Sequence, residues 1–189
     1  MSGGHGSSIE GNNRHVALLI AVLALFLAFS EMLGKNAEKA SMQANIEANN
    51  LWAFFQAKTI RRAMAQNLAE MIQIDGVGTV DDAKKAAIGK QVETWTRLAA
   101  RLESEPDTNE GRKELMARAK AAELSRDRNN QKNEGFEIAS AILQISIVVA
   151  SAMIITGIAA LAYLAGGLGI VAVMLMAISQ FAPTILPFH

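Results

Sequence analysis

The side chains that carry out chemistry in proteins are sparse in this sequence, and their spacing does not bring them together. The three histidines, His5, His15 and His189, all lie near a terminus, and the chain has no cysteine. The Glu-x-x-His pairs of a di-iron bundle and the His-Glu-x-x-His pattern of a zinc hydrolase are both missing from the sequence. We therefore predict no catalytic residue, no metal site and no bound cofactor, and we expect a protein that is not an enzyme.

Two short motifs look like ligand sites but are better interpreted as the ends of helices. Gly76-Val77-Gly78 lacks the Gly-Lys-Ser/Thr of a phosphate-binding loop, so we interpret it as a turn. Thr79 is a suitable helix N-cap, and Asp81 and Asp82 follow it, where carboxylates favour the helix dipole. We expect Asp81 and Asp82 to start a helix and not to bind a metal ion.

The charged residues are confined to the middle of the chain. Of the 18 basic and 18 acidic residues, all but Glu10, Arg14 and Glu31 lie between Lys35 and Glu137. The net charge is zero and both signs are mixed, so the sequence predicts no nucleic-acid surface. Long apolar runs on either side of a charged block are typical of a membrane protein.

The two apolar runs predict three membrane-spanning helices. The first run is long enough to cross a bilayer core of about 30 Å as a helix. The second run, residues 138–181, is about twice that length and must fold back as a hairpin. A turn at Gly166-Gly167-Leu168-Gly169 would leave too few residues for a third span, so length favours a turn at Thr156-Gly157. The predicted spans are residues 16–33, 136–157 and 158–182, with tails at 1–15 and 183–189.

A cleavable signal peptide is the alternative interpretation of the first apolar run. Ala28-Phe29-Ser30 offers the small-x-small pattern of a cleavage site. Against cleavage, Arg14 is the one clear positive residue before the run, and a helical pattern continues through the site. We favour an uncleaved span.

The third span contains small residues at helical spacing. Ala162 and Gly166, and likewise Ala165 and Gly169, form small-xxx-small pairs, which let helix backbones approach closely in lipid. They either pack the hairpin internally or form an oligomer face. Among the few polar residues near the spans, we interpret Glu31 as interfacial and Gln144 as an interhelical hydrogen-bonding residue.

Residues 34–135 are predicted to form a coiled-coil-like helical insert, with helices at about 35–74, 79–104 and 112–135. The first helix carries a stripe with alternating steps of four and three residues, the spacing of a heptad repeat. We call it the 46–74 stripe and interpret it as an oligomer or packing seam, in which buried Asn residues fix the register. Its members are Ile46, Asn50, Ala53, Ala57, Ile60, Met64, Asn67, Met71 and Ile74.

A second apolar patch lies on another face of the same helix, so we expect this helix to pack on more than one neighbour. The patch consists of Leu51, Trp52 and Phe55. Aromatic side chains at this spacing are more often core residues than a ligand cage.

The segment Leu51-Trp52-Ala53-Phe54-Phe55-Gln56-Ala57-Lys58-Thr59-Ile60-Arg61 resembles the signature of an uncharacterised bacterial membrane family, domain-of-unknown-function family 4337. The resemblance is carried by Trp52, Gln56, Lys58 and Arg61. It implies one span, a helical insert and a two-span hairpin in that order. The family brings no activity, so the resemblance implies no catalytic or binding residue.

Two lines of reasoning give different orientations in the membrane. Basic residues near the span ends are concentrated on the insert side, which predicts a cytoplasmic insert in a bacterial inner membrane. These residues are Lys35, Lys39, Arg126, Arg128 and Lys132, against Arg14 on the opposite side. The family's hairpin turn is often basic, which would imply a periplasmic insert, but this chain has Thr156-Gly157 there. Both orientations stay open.

The fold class predicted from the sequence is an all-α membrane protein with three transmembrane helices and a coiled-coil-like insert between the first and second. The function we expect is that of a non-enzymatic, self-associating scaffold or accessory subunit of a membrane assembly. Its partners would be the lipid bilayer and either further copies of the chain or other membrane proteins. The alternative is a small channel or membrane sensor-transducer, in which Glu31 or Gln144 lines a water path.

Overall fold

The computed structural model describes the backbone of residues 6–185 and the side chains of residues 14–185. Within this part of the chain the protein is all helical and has no strand. Its four α-helices are α1 (Gly6–Asp75), α2 (Asp82–Glu103), α3 (Arg112–Thr156) and α4 (Ala159–Phe181), followed by a short 3-10 helix at Pro183–Ile185. Parts of the predicted tails, with His5 and His189, lie outside the described residues. By length and composition α1, α3 and α4 are each able to cross a membrane.

Helix α1 joins the first predicted span to the first predicted helix of the insert without a break. Gly34 lies between the first apolar run and Lys35. It does not interrupt α1, because a single glycine inside a helix costs only about 1 kcal/mol of stability. Gly34 is buried, and a Cβ atom at this position would lie 3.3 Å from the Cβ atom of Phe136. The missing side chain therefore allows α3 to approach α1 closely.

The turn between α1 and α2 is built by Gly78 and Asp81. Gly78 has a φ of 90°, a conformation that favours glycine. The side chain of Asp81 accepts a hydrogen bond from the backbone N–H of Ala83 at 2.9 Å, so Asp81 is the N-cap of α2. The predicted N-cap, Thr79, is wrong, because α2 begins at Asp82, three residues after Thr79. The backbone N–H of Thr79 donates to the carbonyl oxygen of Gly76 and closes the turn.

Helix α3 ends at Thr156, and α4 begins at Ala159. Gly157 lies between them with a φ of 73°, again in the left-handed region. The hydroxyl of Thr156 accepts a hydrogen bond from the backbone N–H of Ile158 at 3.4 Å. The chain thus reverses at the residues where span length places the hairpin turn, and Gly166 and Gly167 lie within α4.

The chain divides into two compact units, which are described separately. Unit one comprises Met1–Met42 and Arg126–His189, and unit two comprises Gln43–Ser125.

Unit one packs three helix segments around two apolar clusters. In one cluster Val16 of α1 meets Met153 of α3 and Ala165 of α4, and in the other Leu23 meets Leu143 and Ala172. The order of these contacts shows that α4 runs in the same direction as α1 and that α3 runs opposite to both. The hydroxyl of buried Ser30 donates to the carbonyl oxygen of Phe136 at 2.9 Å and links α1 to α3.

Unit two packs α2 and the first part of α3 against one face of α1. Its core contains Ala48, Leu51, Leu115, Ala119 and Ala122, with Trp52 and Phe55 against them. The residues of α1 that face this core recur at steps of four and three, and all are buried or half-buried. We call them the inner seam: Ala44, Ala48, Leu51, Phe55, Lys58, Arg62, Ala65, Ala69 and Ile72.

Candidate functional site

The 46–74 stripe lies on the exposed surface of unit two. All nine of its residues are exposed, including Ile60 at 62% and Ile74 at 69%. Each member lies two residues after a member of the inner seam, which is about 200° around an α-helix. The stripe therefore faces away from α2 and α3 and does not pack within the chain. An oligomer seam remains a prediction for these residues.

The exposed face around the stripe is poor in charge. Between Glu47 and Glu70, Arg61 is the only charged residue of α1 that is exposed. Phe54, 62% exposed, adds an aromatic ring to this face. Over the whole stripe, from Ile46 to Ile74, Glu47 and Glu70 are exposed as well, against six exposed large apolar side chains. A helix face in water is usually charged or polar, so this excess of large apolar residues is typical of a surface that contacts another protein.

A groove of about 500 Å³ opens beside the stripe, between α1 and α3. Phe54, Ala57 and Arg61 line it from α1, and Leu115 and Arg118 line it from α3. The stripe therefore borders a concave edge able to receive a side chain that projects from a partner.

The family-signature residues divide between the two faces of α1. The indole N–H of Trp52 donates to Glu123 of α3 at 2.9 Å, and the Trp52 ring meets Phe55 edge to face with centroids 5.4 Å apart. Gln56 and Arg61 are instead exposed on the side of the 46–74 stripe. Half of the signature thus builds the core of unit two, and half lies on its free face.

The ammonium group of Lys58, the remaining signature residue, lies 3.9 Å from the carboxylates of Glu105 and Glu110. Nearby, the carboxylate of Glu103 forms ion pairs with Arg62 at 3.1 Å and with Arg112 at 2.7 Å. Lys58 and Arg62 belong to the inner seam, so their aliphatic stems lie against the core while their charged groups reach acidic partners.

Glu105 and Glu114, at the loop between α2 and α3, are held in their charged forms. The side-chain hydrogen bond from Arg101 lowers the pKa of Glu105 below its ordinary value of 4.5. The hydroxyl of Ser104 donates to Glu114 at 2.6 Å and is the main reason that the pKa of this carboxyl is lowered too. A low pKa suits an acceptor that fixes a loop and does not suit a general acid.

Gly111 is required in the same loop. A Cβ atom there would collide with the carboxylate of Glu114 and with the backbone of Ser104 and Glu105. The close packing at Gly111 and the ion pairs around it give the charged residues of this loop a structural role. Among the described residues, no group of His, Asp and Glu is arranged to hold a metal ion.

Unit one contains a polar cleft of about 400 Å³ between α1 and α3. Glu31 and Gln144, which the sequence places more than a hundred residues apart, both line it. Two further carboxylates, Glu38 and Glu137, and one amine, Lys35, share the cleft. Its side chains are mostly exposed, so the cleft is open to its surroundings.

The small residues of α4 have unequal surroundings. Ala165 and Gly169 are buried against the other helices of unit one, and a Cβ atom on Gly169 would lie 2.5 Å from Leu23. Ala162 packs against the cluster that contains Val16. No atom would lie within 4 Å of a Cβ atom on Gly166. Ala162, Ala165 and Gly169 thus pack against other helices of unit one, and an oligomer face on α4 stays a prediction.

The sequence predicted only part of the inner seam, namely the second apolar patch that contains Leu51 and Phe55. Its signal is present, since Ala44, Ala48, Leu51 and Phe55 already have heptad spacing. The next two positions of the seam are Lys58 and Arg62, which are charged. A pattern of apolar residues alone therefore does not extend along the whole seam.

Comparison with known proteins gives one match, which covers nearly the whole chain. A family model described as a domain of unknown function, DUF4337, matches residues 12–182. No curated protein and no solved structure matches the chain. The matched range includes the predicted spans, the signature segment and the predicted insert, and it agrees with the resemblance carried by Trp52, Gln56, Lys58 and Arg61. The chain therefore belongs to the DUF4337 family.

Proposed function

We propose that this chain is an integral membrane protein without catalytic activity, and that it self-associates as a scaffold or accessory subunit of a membrane assembly. Helices α1, α3 and α4 would cross the bilayer, and the helices of unit two would form a coiled-coil insert beside it. The compartment we propose is a bacterial inner membrane. The count of basic residues favours a cytoplasmic insert.

One observation carries the proposal: a heptad stripe of nine exposed residues runs along α1, and between Glu47 and Glu70 the only exposed charged residue of this helix is Arg61. A heptad stripe sustained over about four heptads fits the surface of another helix. Burying one large aliphatic side chain contributes about 1.5–3 kcal/mol, so five such residues would stabilise an assembly substantially. The stripe includes Ile46, Ile60, Met64, Met71 and Ile74 as its large members.

The mass of the full chain in detergent tests this proposal. Size-exclusion chromatography with light scattering is expected to give a mass of more than one chain. The double substitution Ile60→Glu and Met64→Glu places two carboxylates in the stripe and should shift the mass to that of a monomer. The matched control is Val77→Glu with Val80→Glu, at residues 80% and 90% exposed outside the stripe, and it should keep the wild-type mass.

Circular dichroism of all three proteins checks that the helices persist. A wild-type chain that stays monomeric at every concentration, with no protein that co-purifies from native membranes, would contradict the proposal.

A second candidate function is a small channel or sensor-transducer, supported by the single cleft that Glu31 and Gln144 line together. Ion flux into liposomes that contain the purified chain tests it. Gln144→Leu should reduce the flux, whereas Val148→Leu, at a residue of α3 that is 68% exposed and does not line the cleft, should not. Equal flux for wild type and Gln144→Leu would rule out this role for the cleft.

A further inference from the structure

The first candidate span limits the direction in which a second copy can meet the 46–74 stripe. Helix α1 runs without a break from Gly6 to Asp75, and its apolar stretch able to cross a membrane lies before the stripe. Copies of one chain enter a bilayer in the same orientation, which is set mainly by basic residues near the span ends. In two copies that share a bilayer the α1 helices therefore run in the same direction, and contact between their stripes is parallel.

The spacing of the stripe gives each of its residues a defined position in a parallel pair. A heptad repeat has three residues from position a to position d and four from d to the next a. The a positions are Asn50, Ala57, Met64 and Met71, and the d positions are Ile46, Ala53, Ile60, Asn67 and Ile74. When the two helices are not staggered, each layer contains the same residue from both copies.

The two asparagines favour a second copy over an apolar partner and fix the register. Without a stagger, Asn50 and Asn67 each face their own equivalents, and two facing amides form hydrogen bonds because each has donors and an acceptor. A shift of one heptad would place Asn50 opposite Ala57 and would bury its amide without a partner, which is unfavourable. A buried Asn in a heptad seam sets the register for this reason.

Small residues occupy two adjacent layers of this pair, and Phe54 lies beside them. In a coiled coil, the side chain at d enters a hole formed by four residues of the other helix, one of which is the residue at e. For Ala53 this hole includes Phe54 of the second copy, whose side chain is 62% exposed in the single chain. The ring would fill space that facing alanines leave, and protein interiors avoid such voids. The parallel pair thus gives an exposed aromatic ring a contact.

The polar residues that flank the stripe also fit a parallel pair. A residue at g of one helix lies beside the residue at e five positions further along the other helix. Gln56 at g and Arg61 at e have this spacing, and both are exposed. The side-chain carbonyl oxygen of Gln56 can accept a hydrogen bond from the guanidinium group of Arg61 of the second copy, and symmetry repeats the contact. Phe54 and Arg61 line the groove beside the stripe, on the side where Gln56 of the second copy would lie.

We propose that two copies of the chain pair through the 46–74 stripe as a parallel, in-register helix pair, with a two-fold axis that runs along the two helices. Asn50 and Asn67 face their own equivalents, and Gln56 of each copy contacts Arg61 of the other. This pairing rests on the self-association proposed above and adds its partner, direction and register. The partner at the stripe is a second copy of this chain.

Cysteine cross-linking in the membrane tests the pairing, because the chain has no cysteine of its own. Ala53→Cys and Ile60→Cys are produced separately in the full chain, and the membranes are oxidised before detergent is added. Each variant should form a disulfide-linked dimer by itself, because in-register pairing places each cysteine opposite its equivalent. Gln66→Cys, at an exposed residue of α1 outside the stripe, is the control and should not be cross-linked.

The same two cysteines in one membrane test the register. One copy carries Ala53→Cys and a size tag, and the other carries Ile60→Cys. In-register pairing separates these cysteines by one heptad, about 10 Å along the helix, which is too far for a disulfide. A dimer of mixed size should therefore be no more abundant than the dimer from Gln66→Cys. A mixed dimer more abundant than either single-variant dimer would show a stagger and overturn the register.

Charge reversal provides a test that needs no cysteine. At the end of the stripe, Glu70 at g lies beside Asp75 at e of the second copy, so Glu70→Lys replaces a repulsion with an attraction, twice in each pair. Light scattering over a dilution series in detergent should show the dimer persisting to a several-fold lower protein concentration than in wild type. Glu47→Lys makes the same change of charge beside Met42 of the second copy and should dissociate like wild type. Equal dissociation of the two variants would contradict the parallel arrangement.

Light scattering of the wild-type chain separates the two levels of the proposal. If wild type is an oligomer but neither Ala53→Cys nor Ile60→Cys cross-links, the interface lies elsewhere, and the stripe pairing is overturned while self-association stands. A wild-type chain that is monomeric at every concentration would overturn the self-association itself.

Discussion

At the scale of single residues, the charged groups of unit two stabilise its fold. Trp52, Lys58 and Arg62 of α1 each reach an acidic partner on α2, α3 or the loop between them. The cation of Arg112 also lies 4.9 Å from the centroid of the Phe55 ring. Sequence reasoning identified Trp52 and Lys58 through the family signature, but it could not name Glu123 or Glu105. Partners so far apart in sequence are brought together only by the antiparallel packing of α1 and α3.

The lowered pKa values of Glu105 and Glu114 predict that unit two is destabilised by acid. A carboxyl whose pKa is lower in the folded chain than in the unfolded chain contributes stability above its unfolded value of 4.5. That contribution is lost as the pH falls through the lowered folded-state pKa. We expect the denaturant concentration at the midpoint of unfolding to decrease as the pH is lowered below 4.5. Glu114→Gln should make this midpoint less dependent on pH.

Glu47→Gln, on the exposed face of α1, is the control for this measurement, because it removes an acidic residue away from the loop. Equal loss of stability with falling pH in Glu114→Gln and wild type would contradict the prediction. It would mean that the hydrogen bonds from Ser104 and Glu105 do not stabilise the charged carboxylate of Glu114.

At the scale of secondary structure, α1 carries two heptad stripes on opposite faces. The sequence indicated the stripe with the larger apolar residues, but the chain packs its own helices on the inner seam, which is rich in alanine. Alanine allows a close approach of α3, and the stems of Lys58 and Arg62 complete the seam. Both stripes have the same period, so periodicity predicts the helix and its spacing but cannot decide which face meets the chain's own helices.

Replacing one alanine on each face of α1 tests this assignment. Ala48 is 1% exposed against Leu51 and Leu115, so Ala48→Leu overpacks the core and should destabilise unit two by about 1–3 kcal/mol. Ala53 is exposed, so Ala53→Leu should change the stability of the monomer by less than about 0.5 kcal/mol. Denaturant unfolding at low protein concentration measures both, and equal effects would contradict the assignment of faces.

Two glycines in the hairpin of unit one should respond in opposite directions to alanine. Gly157 has a positive φ, so Gly157→Ala strains the turn by about 1–2 kcal/mol. Gly166 is helical and has open space where a Cβ atom would lie, so Gly166→Ala should be neutral or stabilise the helix by up to about 1 kcal/mol. Thermal unfolding in detergent distinguishes them, and a stabilising Gly157→Ala would contradict the turn.

At the scale of the whole molecule, the chain combines one unit rich in apolar helix surface with one rich in ion pairs. The order of the three helices able to cross a membrane, with a charged stretch between the first two, could be predicted from the segregation of charge in the sequence. This is a strong signal because a bilayer excludes charged side chains. The division into units was less accessible to sequence reasoning. It falls inside α1 at Met42 and inside α3 at Ser125, where no glycine or proline marks a boundary.

Unit two has its own core, so we predict that a fragment of residues 43–125 folds alone. Its helices would be held by Leu51, Leu115 and the alanines around them, and heating followed by circular dichroism should show one cooperative transition. Leu115→Ala removes a side chain that is 3% exposed and should lower the stability of the fragment by about 2–5 kcal/mol. A broad, non-cooperative transition in the wild-type fragment would contradict an independent unit.

The two opposite stripes of α1 also determine how this helix would tolerate mutation. Members of the inner seam and of the 46–74 stripe alternate along the chain, so every second residue belongs to one of them, with a single shift in each heptad. If both faces are needed, a scan of substitutions from residue 44 to residue 72 would show sensitivity at alternate positions. Mutational sensitivity at every second residue is ordinarily typical of a half-buried β-strand. In this family it would belong to a helix that packs on both sides.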